Sequence, residues 1–599
     1  MHQELFRAYQ EELRFLREIG DEFAHAHPQT AAALGLHPQS AKDPFVERLL
    51  EGVAFLTAKT ACRLNNAHER LSQDLIQAVM PDLLCNLAPA AMLEMQPMAA
   101  LRQGARSILP RGSQLRYNHL PDQSLSFMTV SDLELAGLEL KRLSALESSV
   151  VVHWIEQVHQ RYRLDLRGSA LMVQIELSSM SGQPLTDALP GALKMHCTGP
   201  TGAALWHALT HQCNAILLCD PNSHTLLGVH SQKHCESTGW SDEEALLPNA
   251  CVMPSPYRLL REWRYWPERF LFAQLNDLAQ SIYGFKGSQL QIVFCLDANT
   301  RLPKWLPEKG LKLNCVPAVN LKHVACEPIM LSPTENDYAL RLPSIYKHHQ
   351  IVHVDKVAYR SANGWVEKLV PAGGSATSDQ FDFCASSYAL RQHARWDRQT
   401  AHDKVFKQVE WRIAPNLQVP ANANHPHLLS AHAWISHPDA DSLNLSNSSA
   451  WYLECAAAVQ SIQCVHTPTK RFESPQDPLT LLSLASFRID LLSREGATQM
   501  TAKFKNWLQL FGNDDFSNAI ESVEMGLCVR PCPHTRQHVL ASGWQLILTT
   551  NEEAALNPLL TVWIRVLAGT LCFQLQSESF FECICRFDNH VIATARVWK

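Results

Sequence analysis

ELFRAYQEELRFLREIGDEFAHAHP (residues 4–28) and DPFVERLLEGVAFLTA (residues 43–58) are the stretch from which the rest of the chain is read. In the first segment Phe6, Tyr9, Leu13, Leu16, Gly20 and Phe23 follow one another at alternating steps of three and four. That spacing holds side chains on one narrow helical stripe, the seam of a coiled-coil-like contact. His27-Pro28 breaks the pattern. Asp43-Pro44 then supplies an N-cap followed by proline at the first helical position. Val46, Leu49, Val53 and Leu56 repeat the three-four spacing. Two such stripes in succession need helical partners, and periodicity leaves open whether these are the chain's own first core or helices of another chain.

Beyond this stretch, a third helical segment is expected over His68–Leu84, with Leu71, Leu75, Ile76 and Val79 on one side and Pro81 closing it. From Ala91 the chain turns β-rich. Met92–Met95, Leu125–Val130, Ser149–Ile155 and Leu171–Leu177 read as strands, and Ser107–Leu115 as strand, Pro-x-Gly turn, strand. Gln289–Leu296, Leu311–Val316, Tyr338–Leu342, Ile351–Tyr359 and Gly364–Val370 continue the series. Ala372–Ser378 is the most linker-like segment, and the Asn-, Pro-, His- and Ser-rich run 414–449 resembles a long loop. Near the end, Ser517–Met525 reads as helix and Leu527–Arg530 and Trp544–Thr549 as strands. Leu556, Leu559, Leu560, Trp563, Leu567 and Leu571 stand at helical spacing. The expected fold is α+β and multidomain: an N-terminal helical, bundle-forming region (1–90), β-rich sandwich- or barrel-like middle domains (91–340) and an α+β C-terminal region (341–599).

The 599 residues exceed what one core holds. A net charge of −6 gives nucleic-acid binding no electrostatic support. No apolar run approaches a membrane span, Leu559–Phe573 being short and interrupted by Arg565. The N-terminus lacks the basic and apolar segments of a signal peptide, so a cytoplasmic protein is expected, its 18 cysteines reduced and small apolar in role.

Catalytic signatures for phosphate binding, a nucleophile elbow or a zinc protease are missing. One stretch could hold a metal: His207, His211, His224, His230 and His234 with Cys213, Cys219 and Cys235. His207 and His211 lie four apart, on one helical face, yet the intervening sequence lacks the protease acid and the cysteine spacings match no usual zinc module. A metal-dependent hydrolase built on His207–Cys235 is the alternative to a structural role. The aromatic run Tyr257–Phe272 could stack sugars, but without accompanying basic residues a core or protein-interface role outweighs that reading.

The motifs resemble one family in order. Tyr9-x-x-Glu12-Leu13-x-Phe15-Leu16, Gly20-x-Glu22-Phe23-Ala24, His27-Pro28, Leu34-Gly35 and Asp43-Pro44-x-Val46-Glu47-Arg48-Leu49-Leu50-Glu51 are similar to the start of TssF (VasA, ImpG), a baseplate subunit family of the bacterial type VI secretion system. Pro110-x-Gly112, Leu246-Leu247-Pro248, Tyr257-Arg258-Leu259-Leu260-x-Glu262-Trp263 and Pro267-Glu268-x-Phe270-Leu271-Phe272 continue the likeness. Pro317-x-Val319-Asn320-Leu321 and Glu327-Pro328-Ile329 follow. The resemblance implies a fold like phage baseplate wedge proteins, no enzyme activity and no cofactor. It implies a pair of copies joined to one TssG through a helical bundle, with TssK and TssE, around the VgrG spike hub. The assembly would dock on the cytoplasmic face of the inner-membrane complex. The candidate interface is then Phe6, Tyr9, Leu13, Leu16, Gly20, Phe23, Val46, Leu49, Val53 and Leu56, with Gly20 where a neighbouring helix comes closest. Tyr257, Arg258, Glu262, Trp263, Pro267, Glu268 and Phe270 are expected to form a packed junction between domains in preference to a partner contact.

Overall fold

The computed structural model describes residues 2–33, 44–98, 107–120, 123–147, 171–182, 184–223, 225–248, 257–298, 306–332, 334–360, 366–372, 386–398, 405–417, 427–443, 445–455, 457–474, 477–512, 515–533, 539–575 and 578–599, with a few single positions between them. Of the sequence expectations, Ser149–Ile155, Gly373–Ser378, Leu34-Gly35, the N-cap Asp43, His224 and Gly364 lie outside the described residues.

Three helices open the chain: α1 (His2–Ala26), α2 (Pro28–Ala33) and α3 (Pro44–Val79). Pro28 stands at the first position of α2, where its missing N–H costs nothing. The expectation of separate helices ending near Ala58 and starting near His68 is corrected, because α3 runs unbroken through both. No proline or glycine interrupts it between Val53 and Val79. Its 36 residues span about 54 Å at 1.5 Å per residue. Pro81 then opens a single 3-10 turn, Pro81–Leu84.

The remainder is strand-rich. A six-stranded sheet has the spatial order Trp451–Leu453, Gln114–Leu120, Gln123–Thr129, Cys315–Val319, Ala90–Pro97 and Val459–Cys464. It therefore draws strands from both sides of residue 340. A five-stranded sheet is centred on Gln289–Leu296, whose inner residues are buried on both faces. That is why it reads as the continuous apolar run QIVFCL rather than as alternation. Ser107–Leu109 pairs with Leu133–Leu135 instead of folding back on Gln114–Leu120, with Gly112 at φ +82° in the turn between them.

Two segments differ from their sequence reading. Leu428–Ser436, within the stretch expected to be loop, is an inner strand with Leu429, Ala431, Ala433 and Ile435 buried alternately. Its period-2 pattern is carried by small residues among polar ones and is easily overlooked. Near the end, helix stops at Ala519 and Ile520–Pro531 is strand throughout, paired with Leu540–Thr550. Cross-strand pairing there overrides a local helical pattern.

The C-terminal sheet has the order Ile520–Pro531, Leu540–Thr550, Phe580–Phe587, His590–Trp598. Its second and third strands are parallel and need a crossover, supplied by the helices Glu552–Leu556 and Leu560–Cys572. The second of these is buried on nearly every side, so the apolar run around Arg565 is a core helix. Among the described residues no helix is long and apolar enough to cross a membrane. The largest core joins this unit to the five-stranded sheet and to Ile76 at the root of α3.

Candidate assembly surface and its anchoring junction

The helical arm sorts its residues by face. Ala54 and Ala58, four apart on α3, are buried, as are Ala24 and Ala31. Small side chains let the α1 and α3 backbones approach closely, and Arg17 pairs with Glu47 across them. On α1, Tyr9, Leu13, Leu16, Gly20 and Phe23 are half-buried, while Phe6 is exposed. Most of that stripe is thus turned toward the chain's own helices. The second stripe behaves differently: Leu49 is 69 % exposed and Leu56 63 %, with Val53 also exposed. Val46 lies in α3, its side chain outside the described residues.

Leu64, Leu71 and Leu75 extend the exposed apolar row along α3, and Phe45 opens it. The sequence carried this signal: Leu49, Val53, Leu56, Thr60, Leu64, Ala67, Leu71 and Leu75 keep steps of three and four throughout. Each exposed leucine buried by a partner contributes roughly 1.5–3 kcal/mol.

The root of the arm is fixed by charge. Arg391 grips Asp74 with two parallel hydrogen bonds, 3.0 and 2.9 Å, from the strand Ser387–Arg398. Gln392 donates to the Leu84 carbonyl at 2.7 Å. Arg261, fully buried, donates to the carbonyls of Asp82 and Cys85 and, at 2.9 Å, to Ser474 Oγ. These carbonyls close the turn after α3, where backbone acceptors lack helical partners. Burial pushes the Arg261 pKa down, offset by the charges of Asp82 and Glu262.

Arg261 belongs to the helix Arg258–Tyr265, the centre of the aromatic run. Its neighbour Glu262 is buried and takes hydrogen bonds from Arg258 (3.1 Å), from Arg269, and from the Leu246 N–H (2.8 Å). Arg258 also meets Asp242 at 3.0 Å, and Arg269 reaches the Glu244 carbonyl at 2.7 Å. Tyr257 donates its hydroxyl to the Leu484 carbonyl at 2.7 Å, and burial raises its pKa to about 12. Trp263 packs near Phe516, and Phe270 stacks on Trp240 with ring centres 4.8 Å apart. Pro267 starts the turn Pro267–Phe270, in which Glu268 alone is exposed. The same helix lies so close to Leu560–Cys572 that a Cβ on Gly569 would stand 2.5 Å from Leu259 Cδ1.

The His207–Cys235 stretch disperses. His207 and His211 stack with ring centres 5.6 Å apart, and His207 Nδ1 lies 3.0 Å from Thr561 Oγ. Burial, with His207 and Arg565 nearby, pushes His211 to about 3. Cys213 and Cys219 occupy the two ends of one buried strand, and burial raises Cys219 and Cys235 to about 12. Among the described residues no three His, Cys, Asp or Glu side chains are placed to share a metal ion. Burial and packing explain the described part of the stretch, and nothing in it supports the hydrolase alternative.

The chain is thus a strand-rich multidomain protein with a charged, buried junction at the root of a helical pair that carries exposed leucines. The family model described as "Type VI secretion system, TssF" matches residues 1–597, and the chain belongs to that family. A curated relative, type VI secretion system component TssF1 of Pseudomonas aeruginosa, is 25 % identical over 98 % of this chain and 97 % of its own. Among solved structures, a chain of the TssK-TssF-TssG baseplate subcomplex matches with TM-score 0.67 at 17 % identity, over 92 % of this chain and 98 % of that one. A chain of the type VI secretion baseplate complex matches with TM-score 0.56 at 17 % identity, over 99 % and 98 %.

Proposed function

We propose that this chain is a structural subunit of a type VI secretion baseplate, working by assembly and not by catalysis. The family match across residues 1–597 carries the reading. One structural neighbour is a chain of a TssK-TssF-TssG baseplate subcomplex, and the same partners are proposed here. In the finer reading two copies of the chain join one TssG through a helical bundle to which α1 and α3 contribute. TssE and TssK complete a wedge around the VgrG spike hub, docked in the cytoplasm against the inner-membrane complex. The exposed row Leu49–Leu75 supports the bundle, since a chain alone gains nothing by showing so much leucine to water. The junction from Tyr257 to Phe270 holds the arm at a fixed angle to the body.

Co-expression with the TssG- and TssK-class products of the same system tests this. The expected result is one stoichiometric complex that survives gel filtration. A monodisperse chain that never co-elutes with the TssG-class partner overturns it.

A further inference from the structure

A five-stranded sheet runs in the order Lys322–Ala325, Leu428–Ser436, Gln350–Arg360 and Val366–Lys368, with Ile329–Met330 also paired to Leu428–Ser436. Its inner face sends Val357, Tyr359, Leu429 and Ala431 into a core shared with Trp411 and Ile413 of the next sheet. Alternation turns the residues between them outward. On that outer face Met330, Leu428, Arg360 and Val366 stand directly opposite one another across four strands. The row spans about 14 Å, three strand spacings. Met330 is 68 % exposed and Val366 54 %, and Leu428 is exposed as well. Beside the row, Lys368 stands opposite Ala358. Lys356 and Arg360 flank Ala358, so each is a diagonal neighbour of Lys368, about 7–8 Å away. All three cations are exposed.

The two carboxylates on these strands are engaged elsewhere, Asp355 with His323 at 2.9 Å and Glu367 with the Tyr359 hydroxyl at 2.8 Å. Among the described residues none of the three cations meets a carboxylate. On a chain of net charge −6, three neighbouring cations therefore repel one another with nothing of the chain's own to offset them. We propose that this face docks an acidic amphipathic helix of another protein. Charge complementarity sets the sign of the partner. The flatness of the face sets its form, because the sheet's own backbone groups point within the sheet and offer nothing to a segment lying across it. An extended segment there would leave its N–H and C=O groups unpaired, whereas a helix satisfies them internally. About nine helical residues run the length of the row. Apolar side chains beneath such a helix meet Met330, Leu428 and Val366, while Asp and Glu along its flank meet Lys356, Arg360 and Lys368. Nucleic acid would neutralise the cations yet leave the apolar row uncovered.

No residue of the helical arm takes part, so this docking stands or falls separately from the partners proposed above. A photo-crosslinking benzophenone residue in place of Ser430, exposed on this face between Leu428 and His432, tests it in cells expressing the type VI secretion genes. The expected product joins the full-length chain to one peptide of another protein. In that peptide Asp and Glu outnumber Lys and Arg, and apolar residues recur at steps of three and four. Lys356→Glu with Lys368→Glu should cut the product at least tenfold at an unchanged melting temperature, because both side chains are already in water. If that double variant melts lower, Lys356→Gln with Lys368→Gln should act in the same direction without reversing charge. A synthetic copy of the peptide should bind the purified chain more weakly as salt rises. Exchanging its Asp and Glu for Lys should restore binding to the charge-reversed variant. A product with this chain itself, with nucleic acid or with lipid overturns the docking. So does a peptide without an acidic excess, no product at all, or charge variants that cross-link as before.

Discussion

Glu262 is 2 % exposed and shared by two arginines, so its charge is tolerated only because Arg258 and Arg269 neutralise it. Glu262→Gln leaves Arg269 buried against neutral carbonyl oxygens with no opposing charge, and the expected cost is about 3 kcal/mol, read as a lower denaturant midpoint. Adding Arg269→Met should recover part of the loss, because the unpaired charge is then gone too. Arg261 acts on a different neighbour. Arg261→Met should loosen the turn at Asp82–Cys85 and raise amide exchange there. The two residues differ in how visible they were. Glu262 and its aromatic companions stand in a recognisable motif, but Arg261 is not among the motif's residues. Its only signal is a charge inside a run of Leu and Trp, where a buried charge must have a partner and the sequence does not say which.

At the scale of elements, α3 separates two kinds of leucine. Leu49→Asp with Leu56→Asp changes side chains already in water, so the folding stability should stay within about 0.5 kcal/mol of unaltered while capture of a TssG-class partner falls at least tenfold. Leu13→Asp with Leu16→Asp strikes half-buried positions on α1 and should instead loosen the α1–α3 pair, seen as lost helicity in circular dichroism. If both doubles lower helicity alike, the outward face of α3 is not a free surface. The helical starts were legible from their period, and the buried strand Gln289–Leu296 from its short continuous apolar run. Leu428–Ser436 and the start of Ile520–Pro531 were not. Their state is set by partner strands far away in the chain, and Ala or His in a strand carries little local preference.

Across the whole molecule, buried imidazoles set a limit on acidity. Burial, with His466 nearby, pushes His196 down to about 3, and burial, with His207 and Arg565, does the same to His211. Both are neutral when folded and take up a proton near pH 6.5 when unfolded. The stability they protect is fully present above about pH 6.5 and falls as the pH drops toward 3, by up to about 1.4 kcal/mol per pH unit for each group. Thermal melts should be flat from pH 8 to 7 and fall steeply between pH 6 and 5; His196→Gln should flatten that slope. Family, strand-rich body and helical start were all readable from the chain, whereas the joining of C-terminal helices to the middle sheets needed the three-dimensional core. That core also gives α3 a mechanical character. A rod of about 54 Å clamped at Asp74 and Asp82 is a lever, and each degree of rotation at its root carries the far end about 1 Å. Side-chain shifts in the Arg258–Arg269 junction too small to break a hydrogen bond would swing the Phe45 end by the width of an atom or more. The far end of α3 thereby reports the posture of the body over the length of the helix.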